Sequence, residues 1–83
     1  MIKIVFDKEK NMSLAYNDNV KIGECNFIEN DGYWNIIHTE VSNLYQGKGI
    51  ARKLVESIVA EAEKYNKDVM ADCSYAKRVI EKG

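Results

Sequence analysis

The sequence predicts a small α/β (α+β) fold in which an antiparallel meander is followed by one crossover helix, one parallel strand and a short C-terminal helix. Three observations predict this fold. The first half alternates strand-forming segments with turn residues, and residues 50–65 have the periodicity of an amphipathic helix. A short apolar segment, residues 69–73, follows that helix. Because a strand–helix–strand connection is right-handed, it should lie parallel to residues 34–41.

The first half of the chain contains four predicted strands. Val, Ile, Phe, Tyr and Trp favour strands, and the segments between them are rich in Asn, Asp and Gly, which favour turns. Asn30-Asp31-Gly32 is the strongest hairpin signal. Gly23, inside the third strand, indicates a bulge. The predicted strands are Ile2–Phe6, Met12–Tyr16, Lys21–Glu29 and Tyr33–Val41.

The second half begins with the most regular element, a helix that ends near Asn66, a residue that tolerates left-handed geometry. Its apolar residues recur every three or four positions and predict one buried face. These residues are Ile50, Ala51, Leu54, Val55, Ile58, Val59, Ala62 and Tyr65. The next strand is predicted over Val69–Cys73. Ser74 should then cap a final helix from Tyr75 to Glu81, because serine accepts hydrogen bonds from first-turn amides.

Length and composition restrict the classes of function. Eighty-three residues predict one domain, 1–83, with a modest core. A net charge near −1 gives no reason to expect a nucleic-acid partner, and no segment is apolar enough to predict a membrane anchor. Two cysteines and one histidine exclude a zinc finger, so no metal site is expected. Unpaired cysteines without a leader peptide predict a cytoplasmic location, and the oligomeric state stays open.

The segment Tyr45–Ala51 predicts an anion site. It is a glycine loop between a strand and a helix N-terminus, where amides without partners and the helix dipole attract phosphate. Gly47 and Gly49 permit close approach of a ligand, and Lys48 adds a positive charge. A dinucleotide site is a weaker alternative, since Arg52 occupies the position of its third glycine. A turn that only starts the helix is another alternative.

Three phrases resemble the GNAT superfamily of acetyl-CoA-dependent N-acetyltransferases. Gln46–Ala51 is similar to its Q/R-x-x-G-x-G/A loop, and His38–Val41 with Cys73–Tyr75 resembles its miniature single-domain branch. The resemblance covers about residues 12–80. It implies an N-acetyltransferase that binds acetyl-CoA or CoA and an amine acceptor, with the pyrophosphate on the amides of residues 47–52. The implied cofactor-binding residues are Val41, Gln46, Gly47, Lys48, Gly49, Ile50, Ala51 and Arg52.

The candidate catalytic residues are Cys73, His38 and Glu40. Cys73 is either a buried apolar residue or a nucleophile activated by a helix N-terminus, and the resemblance implies that it accepts the acetyl group. His38 and Glu40 share one face of a regular strand, and a bulge there changes the face. Either is a candidate general base, and His38 would take the Cys73 proton. Cys25, in the middle of a strand, is predicted to lie in the core.

Two alternatives to this function stay open from the sequence. The family's His-Pro-Glu phrase after the last helix is missing, and so are the strands that complete the acceptor groove in larger relatives, so the acceptor site is undefined. A CoA-binding module without turnover is the first alternative. A structural domain whose glycine loop binds nothing is the second. If the protein is an enzyme, two mechanisms stay open: direct attack of the amine on acetyl-CoA, and transfer through a covalent acetyl-cysteine intermediate.

Overall fold

A computed structural model describes residues 1–82 as a five-stranded mixed sheet with two helices. The elements are β1 (Ile2–Asp7), β2 (Met12–Asn17), β3 (Val20–Asn30), β4 (Tyr33–Val41), a 3₁₀ turn (Asn43–Tyr45), α1 (Ile50–Lys64), β5 (Asp68–Ala71) and α2 (Ser74–Lys82). The strands follow chain order in the sheet; the first four are antiparallel, and β4 and β5 are parallel. This confirms the predicted meander, crossover helix and parallel strand. No helix within residues 1–82 is both long and apolar enough to cross a membrane.

The turns form where the sequence supplies residues that accept left-handed geometry. Asn11 (φ 54°) and Asp18 (φ 55°) turn the chain on either side of β2, and Gly32 (φ 83°) closes the β3–β4 hairpin. Asn66 (φ 58°) ends the α1 segment. Short polar side chains and glycine adopt this conformation at lower cost than other residues, so the predicted turn positions are confirmed.

The core lies between one face of the sheet and the two helices. Trp34 stacks on Phe27 with ring centroids 4.4 Å apart, and Phe6 extends the stack at 5.9 Å from Trp34. The Ser13 hydroxyl donates to the Leu54 carbonyl oxygen at 2.8 Å and ties β2 to α1. The buried residues of α1 are Ile50, Leu54, Val55, Ile58 and Ala62. They belong to the predicted apolar face of the helix, so its orientation is confirmed.

A bulge in β4 sets which side chains face that core. Asn26 pairs with His38 while Phe27 pairs with Ile36, so Ile37 is an extra residue. The extra residue shifts the alternation of β4 by one position. Ile36 is buried, whereas His38 and the next alternate residue, Glu40, are exposed. Without the bulge, His38 would share a face with Ile36 and point into the core.

The predicted bulge at Gly23 also has a counterpart in the structure. Ala15 pairs with Gly23 and Tyr16 with Lys21, so the register shifts by one residue beside this glycine. A Cβ on Gly23 would lie 3.0 Å from the Glu40 carbonyl oxygen. Glycine is therefore needed here for close packing of β3 against β4.

The junction between β5 and α2 differs from the sequence prediction. β5 ends at Ala71, because the chain turns so that the Asp72 and Cys73 amides both approach the Ile36 carbonyl oxygen, at 2.9 and 3.4 Å. The Lys77 amide donates to the Cys73 carbonyl oxygen at 2.9 Å, which makes Cys73 the N-cap of α2. The predictions that Cys73 ends the strand and that Ser74 caps the helix are therefore wrong.

The packing of α1 gives a stability prediction with a matched control. Leu54 is fully buried, so Leu54→Ala should lower the free energy of unfolding by about 2–5 kcal/mol. Leu44 is 83% exposed, so Leu44→Ala should change it by less than about 0.5 kcal/mol. Urea denaturation of both variants measures the difference. Equal effects of the two substitutions would show that the buried face of α1 is misassigned.

Candidate functional site

The glycine loop opens into a cleft at the point where β4 and β5 diverge. The last paired residues of the two strands are Ile36 and Ala71, and β4 continues beyond them to Val41. The cleft has a volume of about 440 Å³. Its lining comes from β4, the loop, α1 and α2: Thr39, Val41, Tyr45, Gln46, Gly47, Gly49, Ile50, Ala51 and Tyr75. The glycine loop therefore lies beside the carboxyl end of β4.

One side of the cleft is an open strand edge. The Ser42 amide donates to the Ile22 carbonyl oxygen at 2.7 Å, which fixes the hydrogen-bond phase between β3 and β4. In that phase His38 and Glu40 direct their backbone groups to β3. The backbone N–H and C=O groups of Thr39 and Val41 therefore point away from β3, toward the cleft. The Thr39 amide approaches the Cys73 sulfur and the Val41 carbonyl oxygen accepts from Gln46, so the Val41 N–H and the Thr39 carbonyl oxygen are the groups left for an extended ligand.

The other side of the cleft is the N-terminus of α1. The Lys53 amide donates to the Gly49 carbonyl oxygen at 3.2 Å, the first bond of the helix. The amides of Ile50, Ala51 and Arg52 precede that bond and have no acceptor within the helix. Gly49 is the N-cap at φ 78° and has no side chain to cap them. This geometry suits a bound anion.

Gln46 holds the loop against β4. Its Nε2 atom donates to the Asn43 Oδ1 atom at 3.1 Å and lies 3.4 Å from the Val41 carbonyl oxygen. Gly47, the next residue, has φ 80°, and a Cβ there would meet nothing within 4 Å. Gly49 is equally open. Both glycines thus give the loop its backbone geometry and leave space above it for a ligand.

Two predicted cofactor-binding side chains lie outside the cleft lining. Lys48 is exposed and does not line the cleft. The Arg52 Nε atom donates to the Glu56 Oε2 atom at 3.1 Å along the surface of α1. The structure therefore brings the other six predicted cofactor-binding residues together around the cleft and leaves these two charges at its rim.

Cys73 caps α2 beside the open edge of β4. Its Sγ atom lies 3.8 Å from the Thr39 Oγ1 atom. Partial burial raises the pKa of the thiol, but hydrogen bonds from the Ala76 amide, the Thr39 hydroxyl and the Tyr75 amide outweigh it, so the pKa is lower than usual. Because these donors favour the charged form, the Cys73 thiol ionises more readily than a free thiol. The sulfur thus takes the place of a capping side-chain oxygen.

Thr39 is a site residue that the sequence did not single out. Its Oγ1 atom lies 3.4 Å from the Cys25 Sγ atom and so stands between the two thiols. Burial raises the pKa of Cys25 to about 11, so this thiol stays neutral, and its predicted place in the core is confirmed. The only signal for Thr39 in the sequence was its place beside His38. Its contact with Cys73 depends on the β4 bulge.

Tyr45, the first residue of the predicted loop segment, also lines the cleft. Its hydroxyl oxygen accepts a hydrogen bond from the Asn17 Nδ2 atom at 2.7 Å. This bond ties the segment before the glycine loop to the end of β2. The two residues are 28 positions apart, so no local pattern indicates the contact.

His38 and Glu40 are adjacent on the opposite, exposed face of the sheet. The His38 Nε2 atom lies 3.2 Å from the Glu40 Oε1 atom, which confirms that the two share a face. Because successive side chains of a strand alternate, both point away from Thr39 and from the thiol of Cys73. The structure therefore places the His38–Glu40 pair on one face of β4 and the thiol on the other.

The lowered pKa of Cys73 predicts its reactivity. Since the pKa is below that of a free thiol, the thiolate fraction of Cys73 should exceed that of an ordinary cysteine at the same pH, and should be lost as pH falls through the lowered pKa. Iodoacetamide alkylation rates across pH, read by peptide mass spectrometry, measure this. Thr39→Val should move the midpoint to higher pH because a donor is removed.

Cys25 provides the internal control for that measurement. Its buried thiol should react much more slowly than Cys73 at every pH tested. Equal rates for the two cysteines, or an unchanged midpoint in Thr39→Val, would contradict the proposed role of the amides and hydroxyl around Cys73.

Comparisons with known structures agree with this architecture. An NMR structure of a GCN5-like protein from Staphylococcus aureus aligns at 29% identity and TM-score 0.73, over 96% of this chain and 78% of that one. Ribosomal-protein-alanine N-acetyltransferase from Brucella melitensis aligns at 21% identity and TM-score 0.68, over 72% of this chain. The alignment spans about half (47%) of the Brucella protein. The NatC complex bound to Gag peptide and CoA contains a chain that aligns at 24% identity and TM-score 0.66, over 86% of this chain and 54% of that one.

Sequence comparison identifies the family. A search of curated proteins returns no match. A family model described as GCN5-related N-acetyl-transferase matches residues 11–83, which include the glycine loop, the open edge of β4 and Cys73. Because the family model matches most of its length, this chain belongs to the GCN5-related N-acetyltransferase family.

Proposed function

We propose that the protein transfers an acetyl group from acetyl-CoA to an amine acceptor. The observation that carries the proposal is the cleft between the N-terminus of α1 and the end of β4, with the Cys73 thiol 3.8 Å from the hydroxyl of Thr39, which lines it. Family membership supports acetyl transfer in general. The protein is proposed to act as one domain, 1–83, in the cytoplasm.

The cleft matches the parts of CoA in order. The pyrophosphate would bind the amides of residues 47–52, where the helix dipole and unpaired N–H groups favour negative charge. The pantetheine arm contains two amides, one of which would donate to the Thr39 carbonyl oxygen. This pairing resembles the addition of one more strand to β4. CoA bound in the structurally similar NatC complex supports the same choice of cofactor.

Cys73 is placed to act as a nucleophile in this arrangement. Its thiolate would attack the thioester carbonyl carbon, forming a new carbon–sulfur bond, and the CoA thiolate would leave. An amine would then attack the acetyl-cysteine, lose its proton and release the Cys73 thiolate with the acetamide product. The backbone N–H of Val41, which points into the cleft, is proposed to stabilise the negative oxygen of the tetrahedral intermediates.

His38 is proposed to accept a proton from the amine acceptor rather than from the Cys73 thiol. The prediction that it takes the Cys73 proton finds no support in the structure, since the side chain points to the opposite face and contacts Glu40. Amine acceptors are protonated near neutral pH and need a base. An acceptor that approaches across the exposed face of β4 would meet the His38–Glu40 pair first. Glu40 would orient the ring.

A CoA-binding module without turnover is the second candidate. The observation that favours it is the open acceptor side of the sheet. The side chains of His38, Glu40 and Ile37 are all exposed, and no element within residues 1–82 covers them to enclose an acceptor. Such a module would bind CoA through the same loop and helix. It would leave the thioester intact or only exchange it with Cys73.

Two measurements on one sample separate these candidates. Saturating CoA at a hundredfold over its dissociation constant should stabilise the protein by about 2.7 kcal/mol and raise the melting temperature by several degrees. Free CoA thiol should be released from acetyl-CoA continuously only when a suitable amine is present. Stabilisation without release for any amine in a broad panel would favour the binding module. An unchanged melting temperature would reject both.

A further inference from the structure

We propose that a notch beside the cleft binds the 3′-phosphate of CoA and distinguishes CoA from dephospho-CoA. The basic notch is a second cavity, of about 200 Å³, lined by Arg52, Tyr75, Arg78 and Val79. This inference rests on the proposed function, because it presumes that CoA occupies the main cleft. It assigns a specific partner to two arginines that the acetyl-transfer chemistry does not use.

The notch lies next to the cleft. Tyr75 lines both cavities, and Arg52 directly follows Ala51, which lines the cleft. On α2, Tyr75, Arg78 and Val79 are three and four residues apart and therefore share one face of the helix. That face of α2 and Arg52 in the first turn of α1 together line the notch. A ligand group that extends from the α1 N-terminus toward α2 would therefore enter it.

The chemistry of CoA places a phosphate at this distance. Its 3′-phosphate is separated from the pyrophosphate by a single ribose, so it must lie close to the first turn of α1 when the pyrophosphate is bound there. Guanidinium groups suit such a group because their planar donors match phosphate oxygens in pairs. The two arginines come from different helices and can approach the phosphate from two sides.

Arg78 is the more available of the two charges. Arg52 forms an ion pair with Glu56, with the Nε and Oε2 atoms 3.1 Å apart. Arg78 takes part in none of the ion pairs found among residues 1–82. Its side chain is exposed, so removing its charge should not disturb the core. Lys77, the preceding residue, is also exposed but does not line the notch, so it is a matched control.

The test compares CoA with dephospho-CoA by calorimetry for the unmodified protein, Arg78→Gln and Lys77→Gln. Arg78→Gln should weaken CoA binding about tenfold, the loss of one charge-assisted hydrogen bond, and leave dephospho-CoA binding unchanged. Lys77→Gln should change neither affinity. Thermal unfolding without ligand should be the same for all three proteins, since both positions are on the surface.

The outcomes separate this inference from the proposed function. If dephospho-CoA binds and Arg78→Gln weakens both ligands equally, or neither, the 3′-phosphate assignment is wrong while the cleft assignment stands. If Lys77→Gln has the same selective effect as Arg78→Gln, the preference comes from general positive charge and the notch assignment is also wrong. If the unmodified protein binds neither ligand, the proposed function and this inference fail together.

Discussion

Replacing Gly49 with glutamate is expected to weaken CoA binding by about a hundredfold or more. The residue lies at φ 78° at the N-cap of α1, directly below the space where the pyrophosphate is proposed to bind. A glutamate there occupies that space and places a negative charge against a diphosphate. Loss of two charge-assisted hydrogen bonds alone corresponds to that change in affinity. Calorimetric titration with CoA measures it.

Gly32→Glu is the matched control for that variant. Gly32 has nearly the same backbone conformation, φ 83°, and a Cβ there also meets nothing within 4 Å. Both substitutions should therefore cost a similar strain of about 1–2 kcal/mol in the free energy of unfolding. Gly32 lies in the β3–β4 hairpin, at the opposite end of β4 from the cleft. CoA binding should survive in Gly32→Glu, and equal losses in both variants would contradict the phosphate site.

The second large effect is expected at Cys73. Incubation with acetyl-CoA alone, followed by acid quench and digestion, should show one acetyl group on the peptide that contains Cys73. Cys73→Ala should lower turnover with an amine by roughly a hundredfold or more, because a covalent route cannot operate without its nucleophile. The melting-temperature increase with CoA should remain, since the thiol contributes nothing to the phosphate site.

Cys25 is again the control. Its peptide should stay unmodified in the same digest, because burial raises the pKa of this thiol to about 11. Cys25→Ala should keep turnover near that of the unmodified protein once its lower stability is taken into account. An absence of acetyl on Cys73, together with full turnover in Cys73→Ser, would show that the amine attacks acetyl-CoA directly. His38 and Glu40 would then be the remaining base candidates.

The sequence by itself determined most of the helices and strands and the position of the glycine loop. Turns formed at Asn11, Asp18, Gly32 and Asn66 because these residues accept left-handed geometry, a property of each residue alone. Residues 50–64 formed a helix with the predicted buried face because its periodicity is local. The glycine loop was recognisable for the same reason, since its glycines and the helix that follows are adjacent in the chain.

Only the tertiary structure decided which side chains meet. The extra residue at Ile37 depends on pairing with β3, and it sends His38 and Glu40 to the exposed face while Thr39 meets the thiols. Cys73 became the cap of α2 because the chain turned onto a β4 carbonyl, a contact between segments 37 residues apart. The register of β4 on β3 and the contact of the β5–α2 junction with β4 depend on free energies summed over many residues. No short motif therefore predicts them. For this reason the sequence predicted a position for the cofactor. Only the tertiary structure showed that the Cys73 thiol and the His38–Glu40 pair lie on opposite faces of β4.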